Sequence, residues 1–326
     1  MWSIRAFAVT WMLGGELPQD VIVLDPPPEG SATLRRVAFA DQERWRDRRH
    51  IRRRGRGAMG DPKAHFPWIP IPEFLLDCCT VGAELYAEQR LPDDAITNPH
   101  DYLEVHHAAR LDALTFRAAQ VADVLRLVVE PNLQSLVQEV DVTVSRLGQL
   151  DKVSRHSWVP LDFLWRHLFL TWSLRPERVA DVTRTWTQVA LGPNAETIRL
   201  PLRRLGIATA RPFDEDHLID LWVALDGLFK RESDGRIGRQ KVAQRVGRLL
   251  GAEREEQKRL NTALPRSHDM RNAVVHGKPD YTDTDVAEAI TVADDVLRRS
   301  LIRLAATEPH VDLTAEPDRG QPGDSA

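Results

Sequence analysis

The strongest constraint on the fold is a series of helical patterns between residues 201 and 307, separated by clear stop signals. In the stretch 239–250 apolar residues recur on one helical face, and Gly251 follows as a typical C-terminal stop. Thr282 and Asp285 have the spacing of a capping box at the start of a long amphipathic segment. Short amphipathic helices bury their apolar faces against one another, so we expect a helical bundle here.

Three more helices are expected in the same part of the chain. Asp214 is the predicted N-cap of the first, which carries an apolar face that includes Trp222. The stretch 253–263 is predicted to be a helix that ends before Pro265. A separate helix over 266–276 is predicted to end at Gly277 and Pro279.

Residues 1–75 have the least regular pattern. A strand is expected at 21–24, where Val-Ile-Val-Leu precedes three prolines. Eight arginines lie within 44–56, which fits either a phosphate-binding arm or a solvated loop or helix face. The proline-rich stretch 66–72 is predicted to be a linker, because each proline disfavours helix at the residue before it.

Residues 76–200 are predicted to be mainly helical. A long amphipathic helix is expected over 101–129, a short strand near 140–147 and a buried helix over 161–174. Pro176 fits the first turn of another helix that runs to about Ala190.

The predicted fold class is therefore mostly α, with a few short strands in the N-terminal region. We expect an irregular, arginine-rich region at 1–75 and a mainly helical domain at 76–200. A helical bundle is expected at 201–307 and a disordered tail at 308–326, which is rich in proline, glycine and charge.

Bulk properties argue for a soluble, cytoplasmic protein. The formal net charge is -4, so overall basicity does not indicate a nucleic-acid partner. The two cysteines, Cys78 and Cys79, are adjacent, which is unsuited to a structural disulfide. No apolar run reaches the roughly 20 residues that span a bilayer, so no membrane contact is expected.

Two other patterns suggest packing more than ligand binding. His106 and His107 point about 100° apart on a helix, so they cannot share a metal ion as an i, i+4 pair can. Trp158, Trp165 and Trp172 are seven residues apart, which fits one core face better than a ligand-stacking ladder. No metal site and no cofactor are expected, and no phosphate-loop or zinc-protease motif occurs.

The stretch 271–277, Arg-Asn-Ala-Val-Val-His-Gly, holds the main candidate site. Arg271 offers planar, permanently charged donors suited to a phosphate, and His276 can exchange a proton near neutral pH. Asn272 lies four residues before His276 and can orient the histidine or a ribose hydroxyl. RNA supplies its own 2′-OH nucleophile, so these three candidate catalytic residues suit metal-independent RNA cleavage. The alternative is structural: Arg271 pairs with a nearby acid such as Asp269, and the histidine only caps the helix end.

The charge around this stretch favours RNA. Residues 230–278 carry thirteen Lys and Arg against six Asp and Glu. Within it Arg245, Arg266 and Lys278 are the candidate RNA-binding residues.

Three blocks in this region resemble the Apea-like branch of the HEPN family. The first is LRRL at 202–205 followed by DEDHLIDLWVALDGLF at 214–229, the second KVAQRVGRLLG at 241–251 and the third MRNAVVHG at 270–277. The likeness covers about residues 200–306. It departs from the family pattern at Asp226, where relatives often have Glu, and at Asn272, where this branch has Ser.

The resemblance implies a small α-helical bundle that forms a homodimer, with an R-x4-6-H motif at the dimer cleft. Many members of the family are metal-independent endoribonucleases in toxin, phage-defence or RNA-processing systems. Their products carry a 2′,3′-cyclic phosphate and a 5′-OH. RNA, a second copy of the chain, and an antitoxin or regulatory protein are therefore the expected partners. Other members bind nucleotides or proteins without cleaving RNA, and that function stays an alternative.

Overall fold

The structure is a computed structural model, which describes residues 1–24, 30–37, 79–130, 133, 135–146, 149–158, 171–211, 213–230, 233–234, 238–277 and 281–307. The chain divides into two compact units, Met1–Leu191 and Gly192–Ala326.

The first unit contains a six-stranded antiparallel sheet in the order β3-β4-β5-β1-β6-β7. Its strands are β1 (Trp2–Leu13), β3 (Val21–Leu24), β4 (Gly30–Arg36), β5 (Cys79–Leu91), β6 (Ser135–Arg146) and β7 (Gln149–Trp158). Two further short strands, β2 (Gly15–Glu16) and β8 (Trp172–Ser173), pair in parallel with each other. The predicted strand at 21–24 is confirmed as β3.

Strand β1 lies inside the sheet, between β5 and β6. Alternate residues from Trp2 to Met12 are buried, as a strand with one face on the core requires. That face is covered by helix α1 (Pro99–Val128), whose packing against β1, β5, β6 and β7 builds the core of this unit. The amide side chain of Asn98 caps α1 by accepting a hydrogen bond from the His100 backbone N–H at 2.9 Å.

A second helix completes the described part of the first unit. A 3-10 turn at Pro176–Arg178 leads into α2 (Val179–Leu191), which confirms the helix expected from Pro176 onward. Its buried residues, Val182, Thr185, Trp186 and Val189, follow helical spacing.

The second unit is a bundle of five helices within the residues that the structure describes. They are α3 (Ala195–Thr209), α4 (Asp214–Phe229), α5 (Gly238–Leu250), α6 (Arg254–Val275) and α7 (Asp283–Ala305). Helix α4 packs against α3, α6 and α7, and α5 packs against α6. Trp222 and Phe229 of α4 are fully buried in the core. The predicted bundle, the stop at Gly251 and the capping box of Thr282 and Asp285 are confirmed.

Several predictions need correction. The predicted fold class, mostly α with a few short strands, is only partly correct. The N-terminal strands are long and form one sizeable sheet. The prediction that residues 76–200 are mainly helical is only partly supported, since the strands β5, β6 and β7 lie within this range beside α1 and α2. The predicted domain boundary between residues 75 and 76 would separate β5, β6 and β7 from β1, β3 and β4, although all six strands form one sheet. The predicted boundary at 200/201 falls inside α3, whereas the two units divide after Leu191.

Two helix limits in the bundle also differ from prediction. Pro265 lies inside α6, so the two helices expected on either side of it are one continuous helix. Asp214 is the first residue of α4, and the N-cap position is Phe213. In α6, the packing of Leu260 and Leu264 in the core outweighs the local helix-breaking signal of Pro265.

Other predictions fall outside the described residues. These are the arginine-rich segment 44–56, the linker at 66–72, most of the helix expected over 161–174 and the tail at 308–326. At the described end of 161–174, residues 172–173 form β8. No helix in the described ranges has the length and apolar character needed to cross a membrane.

Candidate functional site

The candidate site lies on the last two turns of α6. His268, Asn272 and His276 are four residues apart and therefore follow one face of the helix, with Arg271 beside them. The helix ends at Val275, and Gly277 follows with a φ of 62°, a left-handed conformation that suits glycine. The motif of Arg271, Asn272 and His276 thus lies at a helix C-terminus, as expected.

Ser267 fixes this end of α6 against its neighbours. Its buried hydroxyl accepts a hydrogen bond from Trp222 Nε1 of α4 at 2.9 Å and donates one to the carbonyl oxygen of Ala289 in α7 at 2.8 Å. Buried polar groups that are fully paired in this way hold the elements that carry them in one arrangement. The rotation of α6 is therefore set one residue before His268.

A chain of side-chain hydrogen bonds joins three residues of the site. Arg271 Nη1 donates to Asn272 Oδ1 at 3.1 Å, and Asn272 Nδ2 lies 3.1 Å from His268 Nδ1. Asn272 is half-buried, as are both of its partners. The amide therefore connects a permanent cation to an imidazole.

This chain fixes the protonation of His268. A guanidinium has only donors, so Arg271 requires the oxygen of the Asn272 amide to face it. The NH₂ group then faces the ring, and Nδ1 of His268 must accept, which leaves the ring proton on Nε2. Protonation of Nδ1 would set two donors against each other.

The surroundings of His268 also favour the neutral ring. Burial lowers the pKa of His268 below its ordinary value, and the nearby Arg271 and Lys230 charges act in the same direction. Asp226 and Asp269 oppose this shift without cancelling it. The ring packs edge-on against Trp222, with 4.8 Å between the centroids and 83° between the planes.

Arg271 has no acidic partner among the residues that the structure describes. Asp269 forms its salt bridge with Arg239, so the structural alternative in which Asp269 pairs with Arg271 is wrong. In the described part of the chain Arg271 makes no ion pair, and its enclosed Nε has no hydrogen-bond partner. A half-buried guanidinium with donors to spare is suited to an oxyanion.

His276 has a different environment from His268. It is exposed, and its ring makes no hydrogen bond with any residue that the structure describes. Its backbone N–H donates to the carbonyl oxygen of Asn272 at 3.0 Å, which closes the last helical turn. The ring is therefore accessible to a ligand and to water.

The three candidate RNA-binding residues, Arg245, Arg266 and Lys278, differ in what the structure shows of them. Arg266 is exposed on α6, and Lys278 lies outside the described residues. Arg245 is buried: it binds Asp234 with both Nη atoms, and Nη1 also donates to the carbonyl oxygen of Phe229 at 2.6 Å. A guanidinium held this way cannot reach an RNA phosphate, so the prediction for Arg245 is wrong.

His268 is the site residue that sequence reasoning missed. It lies four residues before Asn272, the same spacing that linked Asn272 to His276, so the i, i+4 rule applied in the N-terminal direction would have found it. The bonding chain itself depends on side-chain rotamers and on the burial beside Trp222, which the sequence does not contain.

Of the other histidine and tryptophan patterns considered in the sequence, His106 and Trp172 have described side chains. The His106 ring packs against that of Tyr102 in α1, with 4.6 Å between the ring centroids and 44° between the planes. Trp172 is buried and donates from Nε1 to the carbonyl oxygen of Leu13 at 2.8 Å. Among the residues with described positions, no group of three or more His, Cys, Asp or Glu side chains is arranged to hold a metal ion.

Comparisons with known proteins identify no relative: no protein-family model, curated protein or solved structure matches the chain.

Proposed function

We propose that the protein is a metal-independent endoribonuclease of the HEPN type that cleaves RNA at the site on α6. The observation that carries the proposal is the state of Arg271. It is a half-buried guanidinium with no acidic partner among the described residues, and the Asn272 amide joins it to His268. The resemblance of the three sequence blocks to Apea-like HEPN domains supports the same assignment.

The proposed chemistry uses the 2′-OH of RNA as nucleophile. Its oxygen attacks the adjacent phosphorus while the bond to the 5′-oxygen of the next nucleotide breaks. Arg271 stabilises the negative charge on the phosphate oxygens, and His276 exchanges a proton with the reacting oxygens. The products are a 2′,3′-cyclic phosphate and a 5′-OH.

A second copy of the chain is part of the proposal. His276 is the exposed histidine of the motif, and two copies would supply one to activate the 2′-OH and one to protonate the leaving oxygen. Mixing Arg271→Ala with His276→Ala protein is expected to restore part of the activity if the cleft combines residues from two protomers. Light scattering of the wild type should then give the mass of a dimer.

The decisive experiment is RNA cleavage in EDTA. Wild type is expected to release products with cyclic phosphate ends, and Arg271→Ala and His276→Ala should each lower the rate by about a hundredfold or more. Arg303→Ala and His100→Ala are matched controls, because both side chains are exposed and distant in sequence from the site. Controls as slow as the site variants, or an equal rate for His276→Ala and wild type, would refute the proposal.

A second candidate is a nucleotide- or protein-binding module without catalysis. No residue that the structure describes forms a hydrogen bond that orients the His276 ring, which favours this candidate, since catalytic histidines are usually held by a second group. It predicts that nucleotide binding, or capture of a regulatory protein or antitoxin, is unchanged in His276→Ala. The endoribonuclease predicts that cleavage is lost in the same variant.

A further inference from the structure

The two ends of the Arg271–Asn272–His268 chain each leave a donor unused. Arg271 Nη2 has no hydrogen-bond partner in the described residues and is not enclosed. The same is true of His268 Nε2. Both atoms can therefore meet a bound ligand.

The hydrogen-bond logic fixes what each atom offers. Nε2 of His268 carries the ring proton, because Nδ1 is occupied in accepting from Asn272. Nη2 of Arg271 offers two N–H donors that cannot lose their charge. Neither atom has a lone pair available in this arrangement, so the pair suits an acceptor that carries negative charge.

We propose that His268 Nε2–H and Arg271 Nη2 form a donor pair that binds one phosphate of RNA, with Asn272 holding both groups. His268 is then a phosphate-binding residue that acts as a neutral donor, and it is not the general base. Proton transfer is left to His276, whose ring is exposed. This role rests on the proposed function. The tests below therefore measure the protonation of His268 and phosphate binding, and not RNA cleavage, so that the two proposals can be told apart.

The same geometry gives Asn272 a positioning role. Its amide can satisfy Arg271 and His268 together only in one orientation. An aspartate would accept from both neighbours, which would favour the imidazolium form of His268. The identity of this residue therefore sets the proton content of the donor pair.

The first test is the tautomer of His268, read from ring ¹⁵N shifts in full-length protein labelled on histidine. The Nε2–H form is expected at neutral pH, and Asn272→Asp should raise the pKa of His268. Addition of inorganic phosphate should shift the His268 Nε2 resonance. An Nδ1–H tautomer, or a His268 resonance that ignores phosphate, would overturn the donor pair.

The second test is affinity for inorganic phosphate and for a 2′-deoxy-substituted RNA oligomer, which lacks the nucleophile. His268→Ala is expected to weaken binding about tenfold or more, as for loss of a hydrogen bond to a charged group. His268→Gln keeps an N–H donor and should stay within about threefold of wild type. Equal binding by wild type and the alanine variant would overturn the inference, and a folded glutamine variant excludes general misfolding as the cause.

The two proposals fail separately. Retained phosphate binding with no RNA cleavage supports the donor pair and refutes the proposed endoribonuclease activity. Cleavage that is lost in His276→Ala but unaffected in His268→Ala supports the endoribonuclease and refutes the donor pair.

Discussion

At the scale of single residues, His268 makes stability depend on pH. Its pKa is lowered in the folded protein, chiefly by burial, whereas the unfolded chain titrates near the ordinary value of about 6.5. As the pH falls below that value, the unfolded chain takes up a proton that the folded protein does not. The free energy of unfolding should therefore fall with pH from about 6.5 down to the lowered pKa.

Urea unfolding of wild type and His268→Gln at several pH values between about 7.5 and about 5.5 measures this effect. The contribution of His268 is the difference between the two proteins, which removes the other titrating groups. Parallel pH profiles for wild type and variant would show that the folded-state pKa of His268 is not lowered.

The buried pair of Asp234 and Arg245 supports a second residue-scale prediction. Both side chains are almost fully enclosed, so removing the carboxylate leaves a buried charge without its partner. Asp234→Ala is expected to destabilise the second unit by about 3–5 kcal/mol in urea unfolding. Glu255→Ala removes an exposed partner of Lys258 and should cost less than about 1 kcal/mol. Similar losses in the two variants would contradict the burial argument.

At the scale of elements, two glycines predict opposite effects of the same substitution. A Cβ at Gly15 in β2 would lie 2.3 Å from Trp172 Cζ2 of β8, and the buried indole cannot move without loss of its hydrogen bond to Leu13. Gly15→Ala should therefore destabilise the protein by about 1–3 kcal/mol.

Gly227 lies in α4 with open space around it, so Gly227→Ala should stabilise the protein by about 0.5–1 kcal/mol. Thermal unfolding measures both, and a destabilising Gly227→Ala would mean that the site is more crowded than described.

The elements also show what the sequence could predict. Caps and stops written in local sequence, such as the capping box of Thr282 and Asp285 and the stop at Gly251, were predicted correctly. Pro265 was read as the end of a helix, but Leu260, Leu264 and Ser267 pack in the core on both sides of it. Packing supplied by other helices outweighed the missing backbone hydrogen bond.

At the scale of the whole molecule, the sheet was the largest feature that the sequence did not predict. β5 contains many residues that favour helices, among them Ala and Glu, and becomes a strand because it pairs with β1 and β4. These partners lie far away in sequence: Trp2 pairs with Leu91. Local patterns carry no information about such pairing. The motif of the candidate site could be found from the sequence because its residues are close together along the chain, within two turns of one helix.

The two units predict separable folding. All residues of the candidate site lie in Gly192–Ala326, together with the buried residues of the bundle that support them. A fragment that begins at Gly192 is expected to be helical, to unfold cooperatively and to keep the lowered pKa of His268. Circular dichroism and a histidine NMR titration measure these properties. A fragment without cooperative unfolding would show that the bundle depends on the first unit.

The position of β1 in its sheet has a consequence for synthesis on the ribosome. This apolar strand emerges before either neighbour, since β5 and β6 end at Leu91 and Arg146. At a translation rate of roughly 5–20 residues per second, β1 waits on the order of ten seconds for its second partner. During that interval Trp2, Ile4 and Met12 have no sheet to pack in, so the nascent chain offers chaperones an exposed apolar segment. Slower translation between β1 and β6 should lengthen that exposure and raise the aggregated fraction.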